Sequence, residues 1–347
     1  MSATINPKSA LKIVMGAMTF GIEGSEGARV HELKDVETIL DIFQSHGHNE
    51  VDTARIYAFG TSEEYLGKLN WQSRNLIMDT KHYPHSVMSS LPRMGRPIEE
   101  GELCDHSPEG LRLNLMASLK ALNTDKVDMW YLHGPDRTIP YEVTLKTVND
   151  LYKEGYFKAL GISNYMSWEV AQMVEICRSN GYIQPTVYQG VYNAIQRTVE
   201  PELFSCLRKY GISFYAFSPL AGGFFTGRYI SQDDQAEAGS RFDPGKIQGK
   251  HHRDRYWNDI YFATVKSVRE VAEAHQLTVP EVALRWISHH SCLSRETGDA
   301  VIIGASSAKH ADQNLLDLEK GPLPDEVVKA LDDAWLSVKA ISANYWH

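Results

Sequence analysis

Val127-Asp128-Met129-Trp130-Tyr131-Leu132-His133 is a short, β-prone run that directly follows a helical stretch of the chain. That stretch opens at Ser107-Pro108-Glu109, where Ser is a favoured N-cap residue and Pro is favoured in the first helical position. Leucines then recur at helical spacing, at positions 111, 115, 119 and 122. The segment therefore predicts one helix followed within a few residues by one strand.

The same alternation recurs along the whole chain. Further β-prone runs lie at Lys12-Met15, Glu50-Asp52, Leu76-Thr80, Ala159-Ser163, Thr186-Gln189, Ser213-Phe217 and Ala300-Gly304. Helical patterns cover Asp35-His46, Ser167-Asn180 with Ser167 as the expected cap, Pro201-Tyr210 and Lys309-Leu318. Eight mostly apolar strands with helices between them favour a parallel sheet covered on both faces. Because eight such units close into a barrel, we predict an α/β fold, a (β/α)₈ TIM barrel forming one domain over residues 1–347.

An open, doubly wound sheet is the alternative fold. Its dinucleotide-binding pattern G-x-G-x-x-G follows none of the predicted strands, since Gly21, Gly24 and Gly27 have the wrong spacing and context. The longest irregular stretch, about Ala221 to Asn258, follows the seventh strand. In a barrel this loop is expected to lie, together with the C-terminal tail, over the face that carries active sites.

Composition excludes several functional classes. The 347 residues are 43% hydrophobic and carry a formal charge of -9, so no nucleic acid or anionic membrane partner is expected. No apolar run approaches a membrane span, and the start Met1-Pro7 lacks the features of a secretory signal. The four cysteines form no C-x-x-C, and the pairs His82/His85, His251/His252 and His289/His290 lack a convincing third ligand. We predict a cytoplasmic protein without a metal site.

Polar residues at the ends of neighbouring strands suggest a chemistry. Asp52 ends the second predicted strand and Tyr57 follows it, Lys81 ends the third, and His133 ends the fourth. A Tyr has an ordinary pKa of about 10, and a nearby ammonium lowers it. An Asp would hold that Lys, and a neutral His would donate to a carbonyl oxygen. On one barrel rim, such a set suits the reduction of a carbonyl group.

Several ordered motifs resemble those of the aldo-keto reductase superfamily along nearly the whole chain. They are Met15-Gly21, Asp52-Tyr57, Leu160-Tyr165 and Ser218-Gly223. Tyr188-Asn193, Arg253-Trp257 and Asn344-Trp346 are most similar to the aflatoxin-aldehyde and succinic-semialdehyde reductase branch. The resemblance implies a barrel that binds NADPH without a Rossmann domain, and a tendency to form homodimers.

The resemblance also implies roles for individual residues. Tyr57 would donate the proton, with Lys81 lowering its pKa, Asp52 pairing with Lys81, and His133 orienting the carbonyl of a small-molecule substrate. The residues implied in cofactor binding are Ser163, Asn164 and Gln189 at the nicotinamide, Ser218, Pro219, Leu220, Ala221, Gly222, Gly223, Gly227 and Arg228 around the pyrophosphate, Arg241 as a further contact, and Ser306, Ser307, His310, Gln313 and Asn314 at the adenosine end. Ser306-Ser307 also suits a helix N-cap. The superfamily often has Arg where His310 stands, so NADH remains an alternative cofactor.

Substrate choice is expected to come from His252, Arg255 and His347. The related branch contacts a substrate carboxylate through the loop and usually ends in Arg, whereas this chain ends in His347. That difference weakens the implied anion site and leaves a bulkier neutral aldehyde or ketone open.

Three other functions are alternatives to a carbonyl reductase. A short-chain dehydrogenase needs Tyr-x-x-x-Lys, and none of the 17 tyrosines has Lys four residues on. A hydrolase with paired carboxylates would use Asp52 with Glu63 or Glu64, but Ser62-Glu63-Glu64 is typical of an exposed helix start. A non-catalytic regulatory subunit of the same fold stays possible, because the four rim residues do not exclude it.

Overall fold

The computed structural model describes residues 7–84 and 104–347. Residues 1–6 and His85, on which the predictions about a signal segment and one histidine pair depend, lie outside this range. Eight parallel strands close into a barrel in chain order. They are β1 (Lys12–Gly16), β2 (Glu50–Asp52), β3 (Ile77–His82), β4 (Val127–Leu132), β5 (Phe157–Ser163), β6 (Pro185–Val191), β7 (Ser213–Phe217) and β8 (Ala300–Gly304). The predicted (β/α)₈ barrel is confirmed.

Helices follow the strands around the outside. In the described part of the chain they are α1 (Leu33–Ser45), α2 (Thr61–Lys68), α3 (Pro108–Ala121), α4 (Tyr141–Lys153), α5 (Ser167–Asn180), α6 (Leu203–Tyr210), α7 (Ile247–Tyr256), α8 (Asp259–Ala274), α9 (Val279–His289), α10 (Ala308–Leu318) and α11 (Asp325–Val338). Within this range no helix is both long and apolar enough to cross a lipid bilayer.

Two local predictions were wrong. Ser167 is the first residue of α5 rather than its cap, and Glu169 accepts a hydrogen bond from the backbone N–H of Met166 at 2.8 Å. The stretch predicted as irregular contains a short 3₁₀ helix (Ala221–Thr226) and α7. Residues 247–256 are polar on all sides, so the apolar periodicity by which a helix is recognised is missing.

Side chains alternate between the inside of the barrel and the helix layer, as expected for strands. Val14, Tyr131, Val187, Tyr215, Ala300 and Ile302 form the apolar cluster inside the barrel. Gly161 makes room for Tyr131, because a Cβ at this position would lie 2.1 Å from the Tyr131 ring. Polar side chains also lie in the barrel interior, and those at the carboxyl ends of the strands form the candidate site.

Candidate active site

Asp52 and Lys81 form a buried ion pair at the carboxyl ends of β2 and β3. The Lys81 Nζ lies 2.6 Å from both Asp52 carboxylate oxygens and donates to the Thr53 carbonyl at 2.8 Å. Burial acts to lower the pKa of Lys81, but the charge and hydrogen bonds of Asp52 outweigh it and raise the pKa. Lys81 is therefore held as a cation.

Tyr57 stands beside this pair. It begins a tight turn after β2 in which Ala58 and Phe59 adopt left-handed backbone angles, with φ of 48° and 55°. This turn brings the Tyr57 ring centre to 4.9 Å from the Lys81 Nζ. Burial raises the pKa of the Tyr57 phenol above its usual value, and Lys81 opposes that rise. Lys81 acts in the direction predicted from sequence, while burial has the larger effect.

Glu63, predicted at an exposed helix start, is instead fully buried. Its carboxylate accepts from Arg55 Nη1 at 2.8 Å and from the Thr80 hydroxyl at 2.6 Å. The exposed position predicted for Glu63 was wrong because α2 packs its first turn against the barrel. These hydrogen bonds link the Tyr57 turn to β3. Both carboxylate oxygens of Glu63 are occupied by these partners, so Glu63 has a structural role at the site.

His133 follows β4 and completes the set. Its ring meets Tyr57 edge-on at a centroid distance of 5.7 Å. Burial, together with the charge of Lys81, lowers the pKa of His133 well below its usual value, so the ring is neutral near pH 7. We call Asp52, Tyr57, Lys81 and His133 the rim quartet; the structure brings all four together.

The residues predicted at the nicotinamide lie next to the quartet. Gln189 donates from its side-chain amide to Asp52 at 2.8 Å, and Asn164 donates to Ser163 Oγ at 3.0 Å and to the His133 carbonyl at 2.8 Å. The sequence indicated Gln189 only as a binding residue. Its contact with Asp52 arises because the barrel brings β6 across from β2.

The loop after β7 has an unusual backbone. Ser218, Ala221, Gly222, Gly223 and Gly227 all have positive φ, between 49° and 101°. Successive turns of this kind direct backbone N–H groups into a concave surface that favours anions. Pro219 and Leu220 lie within the loop, and Arg228 near its end forms an ion pair with Glu237.

His252 packs on this loop. A Cβ on Gly222 would lie 2.3 Å from the His252 ring, and His252 Nδ1 lies 2.9 Å from the Gln248 carbonyl. The structure thus places His252, predicted at the substrate, directly under the predicted cofactor loop.

Arg241 is a half-buried cation facing the same region. The Arg241 Nη2 lies 3.8 Å from the Met18 sulfur, and the positive charge of Arg241 acts to lower the pKa of Tyr57. Burial lowers the pKa of the guanidinium. Within residues 7–84 and 104–347 it has no carboxylate partner within salt-bridge distance. A cation desolvated without an anion fits a site for an anionic ligand.

The residues after β8 form the start of α10. Ser307 accepts the backbone N–H of His310 at 3.2 Å, which confirms the helix cap, and Ser306 Oγ lies 3.0 Å from His310 Nδ1. Gln313 donates to Asp317 at 3.2 Å, while Asn314 is buried. A capped N-terminus at the strand ends suits a phosphate or ribose.

The C-terminal tail crosses the face of the barrel as predicted. The His347 backbone N–H donates to the Asn164 carbonyl at 3.4 Å, and its ring nitrogen Nε2 lies 2.5 Å from the Tyr83 hydroxyl. Burial, with the nearby charges of Arg255 and Arg137, lowers the pKa of His347 to about 4. His347 borders the quartet through Tyr83, whose ring meets His133 edge-on at 5.1 Å, and the charge of Arg255 in α7 acts on His347.

A family model described as the aldo/keto reductase family matches residues 12–336. The chain belongs to the aldo/keto reductase family. It is 45% identical over 348 residues to the aldo-keto reductase pigE of Monascus ruber, covering 99% of both chains. It is 50% identical to an aldo-keto reductase of Pseudocercospora fijiensis over 89% of this chain and all of the relative. It is 41% identical to aflatoxin B1 aldehyde reductase member 2 of Mus musculus, over 88% of this chain and 81% of that protein. This aldo/keto reductase is accordingly an oxidoreductase with a (β/α)₈ fold.

Proposed function

We propose that this aldo/keto reductase reduces an aldehyde or ketone to an alcohol with NADPH, and that Tyr57 is the general acid. The observation that carries the proposal is the Lys81 ammonium, buried between the Asp52 carboxylate and the Tyr57 ring. A buried ammonium group beside a phenol stabilises the phenolate that forms when the phenol gives up its proton.

Each member of the rim quartet has a task in this scheme. Burial favours the neutral phenol, so Tyr57 carries its proton at neutral pH. Lys81 stabilises the phenolate that remains after the substrate oxygen has taken that proton. Asp52 keeps Lys81 charged and in place, and Gln189 fixes Asp52 from the other side. The neutral His133 donates a hydrogen bond to the substrate carbonyl and orients it.

The chain offers a fitting site for a dinucleotide. The left-handed backbone between Ser218 and Gly227 suits the pyrophosphate. The charge of Arg241, which has no carboxylate partner among the described residues, suits a further phosphate of the cofactor. Asn164, Ser163 and Gln189 suit the nicotinamide amide, and Ser306, Ser307, His310, Gln313 and Asn314 suit the adenosine end. When bound, the nicotinamide supplies the hydride.

Tyr57→Phe tests the proposal, because it removes only the hydroxyl. General acid catalysis typically raises the rate by a factor of about 10²–10⁴. In Tyr57→Phe the rate at which an aromatic aldehyde is reduced should therefore fall by at least a factor in this range. NADPH binding, followed by fluorescence quenching, should be retained. Tyr152→Phe is the matched control, because it removes the hydroxyl of a partly exposed tyrosine on α4, outside the barrel, and should reduce the aldehyde as the native protein does. Near-normal turnover in Tyr57→Phe would show that the proton comes from elsewhere, with His133 the first group to test.

Two sequence predictions about the cellular form of the protein remain predictions. They are the cytoplasmic location and the homodimer. Light scattering on the purified protein measures the second directly.

A further inference from the structure

Asp79 is a buried acid that the proposed chemistry does not use. It lies two residues before Lys81 on β3, so the two side chains point to the same, interior side of the barrel. The register of β2 and β3 places Asp79 beside Asp52. Asp79 is only 1% exposed, and across residues 7–84 and 104–347 neither of its carboxylate oxygens has a hydrogen-bond partner.

The charges around Asp79 do not balance if it is ionised. Towards the open base of the barrel, Lys12 pairs with Glu50 and donates to the Tyr215 hydroxyl at 2.8 Å. Towards the active site, Lys81 pairs with Asp52. Three carboxyl groups thus share two ammonium groups, and both cations have closer partners than Asp79. A fully buried carboxylate without a counter-charge or hydrogen bonds is strongly unfavourable.

A proton is the simplest way to remove this charge. Among the described residues no group of three His, Cys, Asp or Glu side chains is arranged to hold a metal ion. Burial, together with the charges of Glu50 and Asp52, raises the pKa of Asp79 well above its usual value, against the effect of Lys12 and Lys81. In the described part of the chain, Glu50 Oε1 and the Tyr131 hydroxyl are also buried without hydrogen-bond partners, so a water molecule inside the barrel has polar groups to bond besides the Asp79 acid proton.

We propose that Asp79 is a protonated carboxylic acid in the native protein at neutral pH, and that it acts as a positioning residue for Lys81. As a neutral acid it leaves the Lys81 ammonium to Asp52 and Tyr57. As an anion it would compete with Asp52 for Lys81 and so weaken the stabilisation that Lys81 gives to the Tyr57 phenolate. The consequence for Tyr57 rests on the function proposed above, whereas the protonation of Asp79 does not.

Unfolding as a function of pH tests the protonation without any activity measurement. Between the ordinary Asp pKa of about 3.9 and the raised value, the native state keeps a proton that the unfolded state has lost, so stability falls as pH rises. Asp79→Asn cannot lose this proton. The unfolding equilibrium constant of the native protein, divided by that of Asp79→Asn, should therefore grow between pH 5 and pH 8, by up to about tenfold per pH unit.

Asp52→Asn is the matched control, because it removes the ion-paired carboxyl and should destabilise the protein at neutral pH. If Asp79→Asn also loses stability relative to the native protein as pH rises, Asp79 is ionised and the proposal is overturned. Infrared spectra add a direct measurement of the acid. A carboxylic-acid C=O band that is present in the native protein at pH 7 and missing in Asp79→Asn supports the proposal. Its absence from the native protein, or its persistence in Asp79→Asn, overturns it.

The pH profile of kcat/KM tests the positioning role. A carboxyl loses its proton before a phenol in the same surroundings, and the resulting anion makes Tyr57 harder to ionise. In Asp79→Asn this anion cannot form, so the alkaline limb should move to lower pH by about one unit. An unchanged limb means that Asp79 is structural only. If neither protein reduces any carbonyl, the proposed function fails, while the unfolding data still decide the protonation state.

Discussion

Lys81 lies 2.6 Å from both carboxylate oxygens of Asp52, and the two side chains are almost completely buried. Lys81→Met would leave Asp52 buried without its cation, a change that typically costs about 3–5 kcal/mol of unfolding free energy. Urea denaturation measures this loss. The control is Lys146→Met, which breaks an exposed pair with Asp150 on α4 and should leave the free energy of unfolding nearly unchanged. Equal losses of unfolding free energy in both variants would mean that the buried pair contributes no more to stability than the exposed pair.

Gly222 and Gly223 should respond differently to alanine. Both have positive φ, so both variants carry backbone strain, but only at Gly222 would the new Cβ collide with the His252 ring, at 2.3 Å. Such overpacking costs about 1–3 kcal/mol. We expect Gly222→Ala to be less stable than Gly223→Ala by that amount, and to bind NADPH more weakly. Thermal unfolding and fluorescence titration of both proteins check this, and indistinguishable variants would contradict it.

Arg241 should determine cofactor affinity. Losing one charge-assisted hydrogen bond costs about 1.5–3 kcal/mol, so the Kd for NADPH should rise about 10- to 150-fold in Arg241→Gln. Arg178→Gln on the outer surface of α5 is the control and should bind as the native protein does. The native protein should also bind NADPH more tightly than NADH. Equal affinity for the two cofactors would refute the phosphate site assigned to Ser306–Asn314 and Arg241.

Arg255 should discriminate substrates by charge. If it contacts a substrate carboxylate, Arg255→Ala lowers kcat/KM for carboxylated aldehydes by about 10- to 150-fold. Neutral aldehydes of similar size serve as the internal control and should react at nearly the native rate. A uniform change across both groups would exclude an anion site at this position.

Buried histidines should make the protein sensitive to acid. Burial lowers the pKa of His106 to about 3 and that of His82 to about 4. Below pH of about 6.5 the unfolded chain takes up protons that these native rings do not accept, so stability is lost as pH falls. Both His106 ring nitrogens are buried and have no hydrogen-bond partner among residues 7–84 and 104–347, so His106→Leu should flatten the decline in stability between pH 6.5 and 4.5. Chemical denaturation at each pH measures the slopes, and parallel curves would contradict the prediction.

The sequence predicts the secondary structure of this protein better than the contacts between its side chains. The sequence predicts all eight strands near their final bounds, because most of them are short runs rich in apolar residues that need no partner to be recognised. It also predicts the positions of the rim quartet, since Asp52, Lys81 and His133 lie at the ends of predicted strands and Tyr57 comes five residues after Asp52. The roles of the four residues stay predictions. In contrast, α7 was missed because its polar surface carries no apolar stripe.

The sequence by itself determined the alternation of strands and helices, and with it the barrel and the ring of polar residues at the strand ends. Only the tertiary structure decided which of those residues touch. Glu63 is buried against Arg55 and Thr80, and Gln189 bonds to Asp52 across the barrel. Asp79 lies between two ion pairs and, among the described residues, forms none of its own. These relationships depend on strand register and barrel closure, which bring together residues as far apart as positions 52 and 189. Local propensity and spacing act over a few residues and carry no information about such contacts.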